Sequence, residues 1–246
     1  MSKPTFSIIT LSFDSLNHTI KFVNSIRKNT FSSYELIIVD NGSSENVQTS
    51  IKKLADKSIL FKENKGFSKG FNAGLKIAEG KYVMMANNDT EFPNKWDVSI
   101  LENFKKYKNV GLVSPTYTTG SRLIALRKHT KDNQIIAKKF SDYPSGVAYC
   151  LNYNFMIKII NGWCEDYLIA SGEDADLCYR VWSNNYDIII DERILVKHVG
   201  KVTTKTKIKN WKKLWKKNGK LFRRKWFFYY YFRPFARIYL KIKYYE

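Results

Sequence analysis

Apolar residues in the first 90 positions alternate between two spacings. The runs "TFSIITLS" and "YELIIVD" are near-continuous and rich in β-branched residues, the pattern of strands buried on both faces. Between them Leu16, Ile20, Val23 and Ile26 recur at intervals of three and four, which predicts an amphipathic helix. The alternation then repeats. A capping box at Ser43 or Ser44 opens a second helix, "SILFKE" gives a third strand, Phe67, Phe71 and Leu75 line a further helix, and "KYVMMA" is a fourth strand. Such alternation implies an α/β fold with parallel strands and crossover helices, whose ligands bind beyond the carboxyl ends of the strands.

The polar residues that follow each strand are therefore the informative ones. They are Ser12-Phe13-Asp14, Asp40-Asn41-Gly42-Ser43, Glu63-Asn64-Lys65-Gly66 and Asn87-Asn88-Asp89. Each has a bland reading when taken singly: "DNGS" is a good turn, "GFSKGFNAG" lets a helix pack closely, and "NND" can cap the next helix. Their joint placement on one edge is what points to a site. Further on, Ser171 and Gly172 suit a helix start, with Leu177, Cys178, Val181 and Trp182 as its apolar face. Glu173, Asp174 and Asp176 crowd the first turn of that helix, more acids than the helix dipole calls for.

Length and composition set the frame. A chain of 246 residues with 44% apolar content can bury a full core. The start "MSKPTFSIITLSFD" lacks the pattern of a signal peptide, and no apolar run approaches the roughly 18 residues of a spanning helix, so a cytoplasmic protein is expected. Cys150, Cys164 and Cys178 are odd in number and fit neither a disulfide framework nor a zinc knuckle; buried thiols are expected.

Charge divides the chain unevenly. Residues 201–246 hold 16 of the 42 Lys and Arg and one acid, Glu246, a net +15 out of +20, together with 14 of the 38 aromatic residues. A boundary is expected near residue 205. Ile208, Trp211, Leu214 and Trp215 form one helical stripe, with Lys209, Lys212, Lys213, Lys216 and Lys217 around it, followed by "LFRRKWFFYYYFRPF". That composition suits a helix lying in an anionic membrane interface. Single-stranded nucleic acid, or packing on the main domain with solvated charges, are the competing readings.

The sequence resembles the GT-A glycosyltransferases of the inverting family 2 type. The resemblance runs through "SIITLSFDSLNHTIKFVNSI", "ELIIVDNGSSENV", "NKGFSKGFNAGL", "MMANNDTEF", "GEDADLCYRVW" and "LVKHVG", six loose motifs in the right order. It implies a Rossmann-like, mixed but mainly parallel sheet flanked by helices over residues 1–205; it fades beyond that, and the basic aromatic helical tail over 206–246 is expected from its own composition and spacing. The nucleotide-binding half would be 1–110 and the acceptor-binding half 111–205.

It further implies transfer of a sugar from a UDP- or dTDP-sugar to a hydroxyl of a glycan or lipid-linked glycan, and the basic aromatic tail adds the expectation that this occurs at the inner face of the cell membrane. Asp40 would meet the base, with Leu11, Phe13 and Asp14 beside it. Asn64, Gly66, Lys69 and Asn72 would line the ribose and diphosphate. Asn87, Asn88 and Asp89 stand where the family carries an Asp-x-Asp motif, Asn87 replacing the first acid. Asp89 and His198 would hold Mn²⁺ or Mg²⁺, the imidazole favouring Mn²⁺. Asp174 would be the general base, Glu173 and Asp176 would orient the acceptor or Arg180, and Trp163 would offer a flat face to a sugar. A sugar nucleotidyltransferase is the rival within enzymes, but "ITLSFDSLN" has no glycine for its phosphate loop. A binding protein on an inactive transferase scaffold is the rival outside them.

Overall fold

The computed structural model describes residues 3–119, 122–123, 134–137, 143–167, 171–200 and 210–227. Its first elements follow the apolar spacing: β1 (Phe6–Ser12), α1 (Leu16–Asn29), β2 (Tyr34–Asp40), α2 (Glu45–Leu54), β3 (Lys57–Leu60), α3 (Phe67–Lys76) and β4 (Tyr82–Asn87). β3 stops at Leu60 and does not run on to Glu63, because the Phe61 carbonyl is taken by the Gln48 side chain and not by a neighbouring strand. Ser44 is the N-cap of α2 but makes no side-chain cap bond, so the expected capping box is not formed. Ser43 is turned the other way, donating to Asp40.

The second half supplies β5 (Thr90–Glu91), α4 (Trp96–Lys106), β6 (Val110–Thr119), β7 (Arg122–Leu123), β8 (Gln134–Ala137) and β9 (Ala148–Asn152). A short helix α5 (Tyr153–Phe155) runs into a π-helical turn (Met156–Ile160), followed by α6 (Glu173–Ser183), β10 (Asp187–His198) and α7 (Trp211–Lys225). One sheet takes them all, in the order β3-β2-β1-β4-β9-β6-β10-β5, with β7 on β6 and β8 on β10. β1 is parallel to β2 and β4, and β2 to β3. β9 is antiparallel to both β4 and β6, so β6 runs with the first four strands, and β10 is parallel to β6. The main strands thus point one way and end on one edge.

Alternation along each strand feeds two cores. Ile9, Ile37 and Met85 face the side covered by α3 and α6, where Phe71, Leu75, Leu177 and Val181 are buried. Ile8, Ile38 and Met84 face the side covered by α1 and α4, with Phe22, Ile26, Trp96 and Ile100. α3 approaches closely because a Cβ on Gly70 or Gly74 would meet Leu11 or Ile9 at 2.8 or 2.5 Å. Gly70 therefore serves helix packing and not close approach to a ligand. Cys150 and Cys178 are buried thiols, whereas Cys164 is partly exposed.

The composition step near residue 205 is not a break in packing. Trp226 lies in the α3/α6 core, 5.3 Å from the Tyr179 ring, and Phe222 packs edge-on against the same ring at 5.0 Å. Ile208, Lys209 and the aromatic run after residue 227 lie outside the described residues. No helix among the described residues is long and apolar enough to cross a membrane.

Candidate active site

The C-terminal edge gathers the polar clusters of the first four strands. Ser12 is in register with Asp40, and Leu11 with Val39 and Asn87. Asp40 is fully buried, and its Oδ1 accepts from Gly42 N (3.2 Å), Ser43 N (2.8 Å) and Gln48 Nε2 (3.0 Å), its Oδ2 from Ser43 Oγ (2.6 Å). This corrects its expected position as an acceptor open to a base: the carboxylate braces the turn. The turn is tight, since Gly42 has a φ of +93° and a Cβ there would sit 2.6 Å from Glu63 C. Asn41, which the sequence reading passed over, clamps the next loop by accepting from Lys65 N (2.8 Å) and donating to Gly66 O (3.2 Å).

Around this frame, Leu11 and Phe13 are half-buried and Asp14 is exposed. Asp14 N donates to Ser43 Oγ (2.8 Å) and its Oδ1 accepts from Ser44 N (3.2 Å), tying the ends of β1 and β2 together. Asn64 Oδ1 accepts from Gly66 N (2.9 Å), which sets Gly66 at a φ of +87° as the start of α3; Lys69 is exposed on its first turn. Asn72 is elsewhere. Its amide donates to Trp163 O (2.9 Å) and Glu165 Oε1 (2.8 Å) and accepts from Trp163 N (2.8 Å), so it pins the loop before α6 and has no capacity left for a diphosphate. Asn88 is likewise turned inward, donating to Ser15 Oγ (2.7 Å) and Thr19 Oγ1 (2.8 Å) at the start of α1.

Asp89 and His198 do come together, brought there by the pairing of β5 with the end of β10, in which His198 opposes Thr90. His198 Nε2 lies 3.3 Å from Asp89 Oδ1, and Gly200 N donates to Asp89 Oδ2 (3.1 Å). Burial would raise the Asp89 carboxyl, but hydrogen bonding and charge from His198 and the Gly200 N–H outweigh it and hold the group below its ordinary value. The other ring nitrogen, Nδ1, is buried with no hydrogen-bond partner. Ligands bound cis to one ion at about 2.1 Å sit roughly 3 Å apart, so this O/N pair fits Mn²⁺ or Mg²⁺ with little movement. No group of three or more His, Cys, Asp or Glu forms a metal cluster among the described residues, so an ion here would draw further ligands from substrate or solvent.

The acceptor half meets this edge through β9. Asn87 N donates to Val147 O (2.9 Å), and the adjacent Gly146 N donates to Asp174 Oδ2 (3.3 Å). The approach is close: a Cβ on Gly146 would lie 2.9 Å from the Asp174 Cβ. Because α6 leads into β10, its first turn begins at the edge where β4 ends. Desolvation raises the Asp174 carboxyl above its ordinary value. Glu173 is lifted to about 8 by burial and then by the Asp174 charge; its Oε1 accepts from Ser171 N (3.3 Å), and its Oε2 is buried without a partner. The Tyr143 hydroxyl is pushed up to about 12 by burial and then by the Asp174 charge. Gly146 and Tyr143 carried no readable signal, since a glycine in "YPSGVAY" passes for an ordinary turn.

Two expected acceptor contacts are corrected. Trp163 is only 3% exposed, stacked on Phe71 (5.7 Å) and Tyr149 (6.1 Å) and edge-on to Phe67 (4.9 Å), so it has no face left for a sugar. Asp176 is fully buried and binds Arg180 Nε (2.8 Å), Tyr167 OH (3.2 Å), Lys225 Nζ (2.9 Å) and Trp226 Nε1 (2.9 Å). It orients Arg180, the other role expected of it, and is closed to an acceptor.

Known proteins share this architecture. An uncharacterized glycosyltransferase of Rickettsia prowazekii is 32% identical over 94 residues, 37% of this chain and only 30% of that relative's length. The crystal structure of Staphylococcus aureus TarS 1-349 in complex with UDP-GlcNAc matches with a TM-score of 0.65 at 15% identity, covering 81% of this chain and 61% of that one. The mannosyltransferase PcManGT of Pyrobaculum calidifontis, in complex with GDP-Man and Mn²⁺, matches with a TM-score of 0.62 at 13% identity, covering 82% and 59%. These likenesses carry the GT-A fold. The family model described as glycosyl transferase family 2 matches residues 7–158, from β1 into the π-helical turn and more than half of the chain, and to that family the chain belongs.

Proposed function

We propose that this protein is a metal-dependent inverting glycosyltransferase that moves a sugar from a UDP- or dTDP-sugar to a hydroxyl of a glycan or lipid-linked glycan. The observation that carries the reading is the Asp89–His198 pair, set at 3.3 Å on the edge where Asp174 also stands. A divalent ion held by that pair would neutralise charge on the departing nucleoside diphosphate. Asp174 takes the proton of the acceptor hydroxyl as that oxygen attacks the anomeric carbon. Its raised carboxyl lies closer to neutrality, where a general base works best, and Gly146 N–H fixes one of its oxygens. One base and one displacement invert the anomeric centre.

On the donor side the exposed Asp14, the half-buried Leu11 and Phe13 and the rigid Asp40–Ser43 turn form the wall for the base, with Asn64, Gly66 and Lys69 toward the diphosphate. Neighbours of this fold hold a uracil donor in one case and a guanine donor in the other, so the choice of base rests on these loops and not on the sheet. The outward face of α7 presents Trp215, 55% exposed, among the exposed Lys212, Lys213, Lys216 and Lys217, and Phe227 lies exposed beyond the helix. That face suits an anionic membrane surface on the cytoplasmic side, where a lipid-linked acceptor would be met. The test is a thermal-shift panel of UDP, GDP, dTDP and CMP sugars with and without Mn²⁺. A UDP- or dTDP-sugar should raise the melting temperature, more so with Mn²⁺, by mass action. A response to none of them would reject the transferase reading.

A further inference from the structure

The first turn of α6 is not self-supporting. Ser171, with a φ of +84°, and Gly172, with a φ of +99°, are two consecutive left-handed residues immediately before Glu173 and Asp174. Such a conformation in a residue with a side chain persists only where its surroundings hold it. Here much of the holding is done by the C-terminal helix. Asn218, 1% exposed in the middle of α7, donates from Nδ2 to Ser171 O (2.8 Å). One turn past the strained pair, Asp176 is a fully buried carboxylate, which water cannot stabilise and which therefore depends on its protein partners. Lys225 Nζ and Trp226 Nε1, both at the end of α7, reach its Oδ1 at 2.9 Å. Tyr167 closes the arrangement: its OH donates to Asp176 (3.2 Å), and its ring stands 3.0 Å from where a Cβ on Gly172 would be.

We propose that α7 is part of the catalytic apparatus, Asn218, Lys225 and Trp226 being positioning residues that hold the turn 171–176 and thereby set Asp174. The inference rests on the assignment of Asp174 as base. The helix has two uses under this arrangement: its inner face fixes the acid-bearing turn, while its cationic outer face stays available. A segment that composition marks as an appendage is thus required for turnover even in the absence of any membrane. Donor binding, which depends on the ends of β1 to β4, is not.

The experiment uses the full chain with Trp226→Phe, which keeps the ring against Tyr179 but removes the indole N–H, and Lys225→Met, which keeps the stem but removes the charge. Amide hydrogen exchange across residues 171–178 is read beside turnover and nucleoside diphosphate affinity. The double variant should lose protection across that turn, lose about 10- to 100-fold in kcat as the base is misplaced, and keep nucleotide affinity within about three-fold. Lys225→Arg, still able to donate to Asp176, should recover most of the rate. Unchanged protection would overturn the proposal, and so would lost protection at an unchanged kcat, which would leave α7 a merely structural prop. A wild-type chain inactive on every donor would instead reject the transferase reading, whereas an active wild type with unchanged protection in the double variant would reject this proposal alone.

Discussion

Asp40 and Asp176 are both fully buried carboxylates near the working edge of one sheet, and they are held by opposite means. The partners of Asp40 are Gly42, Ser43 and Gln48, all within eight residues of it in the chain. Asp176 takes Arg180 from its own helix, but also Trp226, fifty residues on. The Asp40 turn is therefore satisfied within itself, and the loops beside it are tied to neighbouring strand ends and to the start of α1. The acceptor side is assembled from distant pieces: the loop at Gly146, the strained turn at Ser171 and Gly172, and the C-terminal helix. Its local brace makes the Asp40 turn a matter of fold stability, whereas the placement of Asp174 depends on the C-terminal helix, brought in from more than forty residues along the chain.

The largest effect expected separates the two sides outright. Asp174→Asn keeps the shape of the acceptor pocket and leaves the strand ends untouched, so nucleotide affinity should stay within a few-fold while turnover falls by about 10²–10⁴, the usual worth of a positioned base. Steady-state transfer and calorimetry on the same preparation measure both. If turnover survived in Asp174→Asn but vanished in Glu173→Gln, the base would be the neighbouring carboxylate.

Asp40→Ala should show the reverse pattern. It removes the acceptor of the Gly42 and Ser43 N–H groups in a half-buried turn, at up to about 1–3 kcal/mol for each group left unpaired, while the Gln48 amide keeps its bond to Phe61 O. In a chain of this size each kcal/mol lowers the melting temperature by about 2–4 °C. Scanning calorimetry should therefore register a loss of several degrees, accompanied by weaker nucleotide binding. A variant as stable as wild type would mean that the turn does not need its brace.

The smallest effect concerns pH. In the unfolded chain Glu173 ionises near its ordinary value of 4.5, whereas in the folded protein burial and then the Asp174 charge hold its carboxyl at about 8. Between these values the folded state keeps a proton that the unfolded state has lost, so this group's contribution to stability is present at low pH and declines as pH rises through the window. Glu173→Gln should flatten the fall in melting temperature between about pH 5 and 8. Parallel profiles for wild type and variant would show that the buried oxygen of Glu173 is better solvated than its surroundings suggest.

The same contrast explains what could be read from the sequence. β1, β2, β4, α1 and α3 are legible because each strand is a continuous apolar run and each of these helices repeats at three and four, whereas α2 is expected from a capping box that does not form. The Asp89–His198 meeting was reachable through resemblance, since both fall at strand ends that share an edge. The inward turn of Asn72 and Asn88 is not legible, because the side chain of a polar residue after a strand or on a helix can turn either way. The deciding partners of Asn72 lie 91 and 93 residues away, at Trp163 and Glu165. The burial of Trp163 leaves no mark in the sequence, because its stacking partners Phe71 and Tyr149 are distant in the chain. The tail reads as membrane-seeking from composition, yet Asn218, Phe222, Lys225 and Trp226 turn into the protein at helical spacing; with an Asn and a Lys among them, that face does not stand out as apolar in the sequence.

Metal-assisted donor binding at the end of β4 is the claim on which the functional account turns. Isothermal titration of UDP and dTDP in the presence of Mn²⁺, with wild type and Asp89→Ala side by side, addresses it most directly. The account predicts a Mn²⁺-dependent affinity in the wild type that Asp89→Ala abolishes, while the melting temperature of the free variant shows that its fold is retained. Equal affinity in the two proteins, or affinity indifferent to Mn²⁺, would contradict it.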